Sequence, residues 1–240
     1  MGDDNKVAVL AGASGLTGAH LLAALLDAPD FARVYAVTRR ALGREHSRLA
    51  NRIVQFERLE AQLKGLACHS AFCCLGSSLE AAGSERAWRA VEVDQVLAFA
   101  RAMRAGGAQR FVYLSCSGAV AARGPSARLK SECEQALETL GFASLDIVQP
   151  GPLLGLRRDI QLPRLVRALA TSLLTPVLTG PRELHRAVSA RIVAAAMLGA
   201  ARSGRRGVYR YTYSGIRALA RTPGPARAVA AASSPRDRVT

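Results

Sequence analysis

The chain has 240 residues, 50% of them hydrophobic and 21% charged, with five cysteines and a formal net charge of +15. That composition is ordinary for a globular protein that can bury a full core, and the odd, scattered cysteines argue against a disulfide framework. No apolar run reaches membrane-spanning length, and the polar start MGDDNK lacks the apolar stretch of a leader, so neither a secretory signal nor a transit peptide is expected.

The first elements are the most informative. Residues 6–11 form a short apolar run expected to be a strand covered on both faces, and residues 16–27 carry the pattern of a helix. Between them lie Gly12, Gly15 and Gly18 at three-residue spacing. The first glycine suits a tight turn, the second lets backbone approach a pyrophosphate, and the third lets helix pack on strand, while free N–H groups at the helix start meet the phosphate charge. Ser14, Leu16 and Thr17 share this turn and are expected among its cofactor contacts. A glycine triplet alone is weak evidence; strand before and helix after is the context that turns it into a nucleotide cradle.

A second strand is expected at 33–38, and it runs into Arg39 and Arg40. Units specific for NAD place a carboxylate near this point to bind the ribose hydroxyls. Here two guanidinium groups stand instead, suited by charge and fork geometry to a 2′-phosphate, so NADP is expected over NAD, with Arg39 the better aimed. The competing account is a basic loop in a chain whose 33 basic residues include just three lysines. Further strands are expected at 52–56 and 70–75. The latter ends in Leu75, Gly76 and Ser77, where a glycine would let the chain pass over a bound dinucleotide; a plain turn is nearly as good an account. The cysteines are odd in number and scattered, which argues for free thiols in the reducing cytoplasm and against a metal site. Adjacent Cys73 and Cys74 would point to opposite faces.

Beyond this the pattern gives a helix at 85–105, a strand at 110–116, a helix at 129–140, a strand at 144–149, helices at 160–172 and 188–202, and a strand near 207–212. The alternation specifies an α/β fold, a Rossmann-like doubly wound parallel sheet with helices on both faces. One domain is expected over residues 1–221, with its substrate-side segment mainly in 150–221. Residues 222–240 lose periodicity, gain Pro and Ser, and read as a loosely attached tail. Charge is uneven: residues 1–150 carry 17 basic and 15 acidic side chains, residues 151–240 carry 16 and 3. A solvated basic face accounts for this better than a nucleic-acid or membrane-surface partner, since aromatic residues are not interleaved with the arginines.

The segments GASGLTG at 12–18, TRR at 38–40, CCLGSS at 73–78, the run AWRAVEVDQVLAFARAMRAGGAQRFVYLSCSGA at 87–119, KSECEQAL at 130–137 and PGPLLGLR at 150–157 occur in the order seen in the atypical short-chain dehydrogenases/reductases. The chain resembles in particular their Tat-interacting-protein-like NAD(P)-binding subgroup, over roughly residues 6 to 220. The resemblance implies cofactor contacts at Pro150 and Gly151 and a Ser, Tyr and Lys reductase site. Ser115 matches the serine and Lys130 the lysine, which would also hold the nicotinamide ribose. At the tyrosine position, four residues before Lys130, stands Ser126, a far poorer acid with a shorter reach. Tyr113 is better read as a core residue with a satisfied hydroxyl, and neither His20 nor His185 has a context that names it as a base.

The resulting expectation is an NADP-dependent oxidoreductase acting on a small carbonyl or hydroxyl compound, with Ser115, Lys130 and Ser126 as its remaining catalytic set. A catalytically weak NADP(H)-binding sensor is the alternative, and a binder of anionic partners through the basic last third ranks below both. Arg157 and Arg158 could meet a substrate carboxylate or phosphate, although solvated arginines are the commoner outcome.

Overall fold

Every residue from Ala8 to Ala11 in β1 (Lys6–Ala11) is fully buried. A strand with no exposed face has to lie inside a sheet covered on both sides. The computed structural model, which describes residues 6–117, 124–154 and 186–222, has that arrangement. In chain order its strands are β1, β2 (Phe31–Thr38), β3 (Leu49–Ile53), β4 (Ser70–Cys73), β5 (Arg110–Leu114), β6 (Ser144–Val148), the two-residue β7 (Leu153–Leu154) and β8 (Val188–Ser189), and β9 (Gly207–Tyr211). Seven of them form one parallel sheet in the order β3-β2-β1-β4-β5-β6-β9, while β7 and β8 pair separately. The helices are α1 (Leu16–Asp27), α2 (Leu59–Gln62), α3 (Leu79–Ala82), α4 (Glu85–Arg89), α5 (Gln95–Ala105), α6 (Pro125–Glu138), α7 (Ala190–Arg202) and α8 (Tyr213–Leu219).

Two apolar layers hold the sheet. Leu21, Leu25, Val193, Met197 and Ile216 from α1, α7 and α8 close over Ala8, Leu10, Phe72 and Val112. On the opposite face Val96, Phe99, Met103, Cys133 and Leu137 from α5 and α6 close over Val9, Ala71 and Phe111. Cys73 joins the second layer and Cys74 packs against the first, as the alternation along a strand requires. From β1 the chain steps outward to β2 and β3, then returns to place β4 on the other side of β1. The reversal opens a crevice at the carboxyl ends of β1 and β4, the position where open α/β sheets bind ligands.

The elements differ from the sequence pattern in three instructive places. The expected helix at 85–105 is broken by a π-helical turn, Ala90–Asp94, whose extra residue rotates the face and buries both Glu92 and Val93. The expected helix at 129–140 begins four residues earlier, because Gly124 at φ +88° turns the chain and Pro125 takes the first helical position, where its missing N–H costs nothing. The expected strand at 52–56 is found at Leu49–Ile53, and the chain turns into a 3-10 helix (Phe56–Arg58) that buries Phe56. The expected helix at 160–172, Arg157, Arg158, His185 and all but the first residue of the expected tail lie outside the described residues. Two arginines of the basic last third are tied into ion pairs, Arg202 with Asp30 at 2.6 Å and Arg210 with Glu134 at 3.2 Å.

Candidate functional site

At the crevice, two of the three glycines are demanded by the fold itself. Gly12 sits at φ +86°, and a Cβ there would lie 2.5 Å from the Cys74 carbonyl oxygen; a Cβ on Gly18 would lie 2.0 Å from the Gly12 carbonyl oxygen. Neither contact is possible, so these residues lock the β1 turn against the end of β4 and α1 against the turn. Gly15 differs. Its φ is −76° and a Cβ would meet just Gly12 O, at 3.3 Å, which is tight but not prohibitive. Gly15 is the N-cap of α1, no side chain caps the helix, and no acidic residue lies in its first turn. The first-turn N–H groups therefore face the crevice without an intrahelical acceptor. The Thr17 hydroxyl, buried in the same turn, has no hydrogen-bond partner among the described residues. Space beside Gly15, unmet donors and the positive end of a helix fit a pyrophosphate.

The two side walls are also built. Asn51 on β3 donates to Ala36 O and the Thr38 hydroxyl and accepts from the Leu42 N–H, while Thr38 donates to Arg40 O at 2.8 Å. These bonds fix the backbone from which Arg39 and Arg40 extend, and both side chains are exposed. After β4, Leu75 is half-buried and Gly76 exposed, and Ser77 donates its N–H to Glu92 Oε1 at 2.6 Å. Ser14 is exposed, Leu16 half-buried, Pro150 buried and Gly151 half-buried; Pro150 O accepts the Ser117 N–H at 2.8 Å, which draws the ends of β5 and β6 together.

Lys130 and Ser115 come together on the α6 side of β5, each with a carboxylate partner. Lys130 Nζ lies 2.8 Å from Glu92 Oε2 and donates to the Tyr113 hydroxyl at 3.1 Å. Burial alone would depress the lysine, yet the charge and hydrogen bond of Glu92 carry it above its ordinary value. A Cβ on Gly76 would be 3.8 Å from Lys130 Nζ and 3.3 Å from Glu92 Oε1, so the pair lies directly beneath the glycine wall. Ser115 is 5% exposed and its hydroxyl donates to Glu134 Oε1 in a short hydrogen bond. Ser126 is exposed on the first turn of α6, four residues and about one helical turn before Lys130. Tyr113 is fully buried, and burial pushes its phenol well above its ordinary range, so it is a core residue whose hydroxyl Lys130 satisfies. His20 is exposed on α1.

Sequence reasoning missed Glu92, Glu134, Gln149 and Arg210. Gln149 Nε2 donates to both Glu134 oxygens at 2.9 Å, and Arg210 Nε reaches Glu134 Oε2 at 3.2 Å. A signal did exist. Lys130, Cys133, Glu134 and Leu137 fall at the i, i+3, i+4, i+7 spacing of one buried face, and two charges on such a face call for partners. Among the described residues no group of His, Cys, Asp or Glu could hold a metal ion, and no helix is long and apolar enough to cross a membrane.

Comparison with known proteins agrees with this geometry. The NAD dependent epimerase/dehydratase family matches residues 8–139, more than half of the chain. Protein HTATIP2 of Rattus norvegicus is 35% identical over 160 residues, covering 65% of this chain and 66% of its own length. The mitochondrial protein fmp52 of Aspergillus fumigatus is 32% identical over 158 residues, covering 62% and 68%. The match thus spans about two thirds of the length of these relatives, and just under that for HTATIP2. Among solved structures, MoeE5 in complex with UDP-glucose and NAD superposes with a TM-score of 0.63 at 19% identity, covering 90% of this chain and 81% of its own, a likeness of fold.

Proposed function

The chain belongs to the NAD dependent epimerase/dehydratase family, and from that premise we propose that it is an NADP(H)-binding oxidoreductase of the short-chain dehydrogenase/reductase type, acting on a small carbonyl or hydroxyl compound. The observation that carries the cofactor reading is Gly15. The backbone does not require glycine there as it does at Gly12 and Gly18, and the space left open lies at an uncapped helix start. In this reading the first-turn N–H groups of Leu16 and Thr17 hold the pyrophosphate, and Arg39 with Arg40 meets a 2′-phosphate. Ser14, Leu75, Gly76, Ser77, Pro150 and Gly151 line the walls. The bound group supplies or takes a hydride at its nicotinamide ring.

The chain's own residues orient the substrate. Ser115 gives its proton to Glu134 and keeps its lone pairs free, which suits it to accept a hydrogen bond from a substrate hydroxyl. Lys130 remains close under the wall, but Glu92 neutralises it, so its part is to fix that wall rather than to lower the pKa of a phenol. The reading takes residues 1–221 as one domain with the substrate side in 150–221, and places the protein in the cytoplasm, in keeping with five free cysteines.

One observation favours a second reading, a sensor that binds NADP(H) with little turnover. No phenol stands four residues before Lys130, and the exposed Ser126 is a poor substitute. NADPH titration by fluorescence, run beside NADPH consumption over a panel of aldehydes and ketones, separates the two. Binding with turnover supports the oxidoreductase, binding without turnover supports the sensor, and absence of binding removes both.

A further inference from the structure

Glu134 is a carboxylate 2% exposed, one turn beyond Lys130, and the chemistry above leaves it without a task. It touches three groups from three strands. Ser115, just past β5, donates to Oε1; Gln149, just past β6, donates to both oxygens; Arg210 of β9 reaches Oε2. The Arg210 side chain is 36% exposed and also binds Glu138, which is 37% exposed. A continuous set of polar contacts therefore runs from the serine at the crevice, through a buried carboxylate, to the outer surface beside Ser131 and Gln135.

We propose that Glu134 is the terminal proton acceptor of this site and takes the place of the missing phenol, with Ser115 as the link between it and the substrate oxygen. The proposal rests on the oxidoreductase reading. In alcohol oxidation the substrate O–H bond breaks and its proton passes to Ser115 Oγ as the Ser115 proton passes to Glu134 Oε1. The carbinol C–H bond yields its hydride to the oxidised dinucleotide, and the C=O bond forms. Glu134, now a neutral carboxyl, returns its proton to water on the Arg210 side. Carbonyl reduction is the same path reversed and begins from protonated Glu134.

Gln149 orients both Glu134 oxygens, and Arg210 links the carboxylate to the outer surface. Other charges near Glu134 are Glu138, which shares Arg210, the Lys130–Glu92 pair one turn back, and the thiols of Cys116 and Cys133. Burial raises both thiols, Cys133 to about 11, so at neutral pH they are protonated and carry no charge.

The test uses the full chain with NADP and an alcohol panel, beside infrared difference spectra recorded as the alcohol is added to the NADP complex. Glu134→Gln should lower kcat by about 10²-fold or more, with NADP affinity unchanged. A protonated-carboxyl band should appear in the unmodified protein and be missing from Glu134→Gln. A band or a parent-like kcat that survives in Glu134→Gln would overturn the proposal while leaving the oxidoreductase reading intact; failure of NADP to bind, or of any substrate to turn over, overturns both. Should Glu134→Gln fail to fold, Ser115→Ala decides: with the link to the carboxylate cut, the band should not appear when alcohol is added, and a band of parent intensity rejects the link.

Discussion

Lys130 Nζ and Glu92 Oε2 lie 2.8 Å apart, with side chains 9% and 3% exposed, beneath the glycine wall of the crevice. The pair joins α6 to the π-helical turn, and through Glu92 Oε1 it also holds the Ser77 N–H. Removing one partner leaves a buried charge alone. Glu92→Gln should therefore cost about 3–5 kcal/mol of stability, whereas replacing both residues by apolar side chains of similar volume should come close to neutral. The pH dependence follows from the raised lysine. Its stabilising share is fully present below the ordinary 10.5 and is lost as pH climbs through the higher folded value, so urea midpoints should decline in the alkaline range more steeply for the parent than for the double variant.

The glycine cradle separates binding from folding. Gly15→Val places branches at the pyrophosphate position but finds just Gly12 O nearby, so the variant should fold while NADPH affinity drops at least about tenfold. Gly18→Ala forces a Cβ to 2.0 Å from Gly12 O and should lower the melting temperature instead. Undiminished NADPH binding by folded Gly15→Val would remove the central claim.

Cofactor choice should reside in two exposed guanidinium groups. Arg39 and Arg40 extend from a loop that Thr38 and Asn51 hold in place, and neither has an ion-pair partner among the described residues. NADP(H) should bind about tenfold or more tightly than NAD(H), and replacing both arginines by alanine should bring the two affinities together. Calorimetric titration with both dinucleotides measures this directly, and equal affinities in the parent would sink the assignment.

The readability of the sequence followed the range of the forces involved. The β1 turn was legible because strand periodicity, glycine spacing and helix start all lie within sixteen residues, and the contact of Gly18 with Gly12 is local, although that of Gly12 with Cys74 is not. The strand alternation gave the parallel sheet for the same reason. Glu92 and Glu134 were not read as site residues because their partners come from far along the chain: Lys130 lies 38 residues from Glu92, and Arg210 lies 76 from Glu134. The π turn was hidden too, since it changes which residue faces inward without changing the helical pattern around it. Each charge did carry a trace, a carboxylate on a buried helical face, but that trace names no partner.

The last prediction concerns the position where a phenol is missing. Ser126 is exposed on the first turn of α6 and stands four residues, about one helical turn, before Lys130. Its hydroxyl has little acidity, so Ser126→Ala should leave carbonyl reduction within about twofold of the parent, since no acid of useful strength is removed. A tyrosine there would carry an acid toward the dinucleotide, and a positioned general acid contributes typically about 10² to 10⁴-fold. The gain from Ser126→Tyr should fall at the low end of that range, because Lys130, which would otherwise lower the phenol's pKa, is neutralised by Glu92. Steady-state NADPH oxidation with one aldehyde measures both variants. A large loss in Ser126→Ala would return the proton to Ser126 itself, and no gain in a folded, NADPH-binding Ser126→Tyr would show that residue 126 does not reach the reacting oxygen.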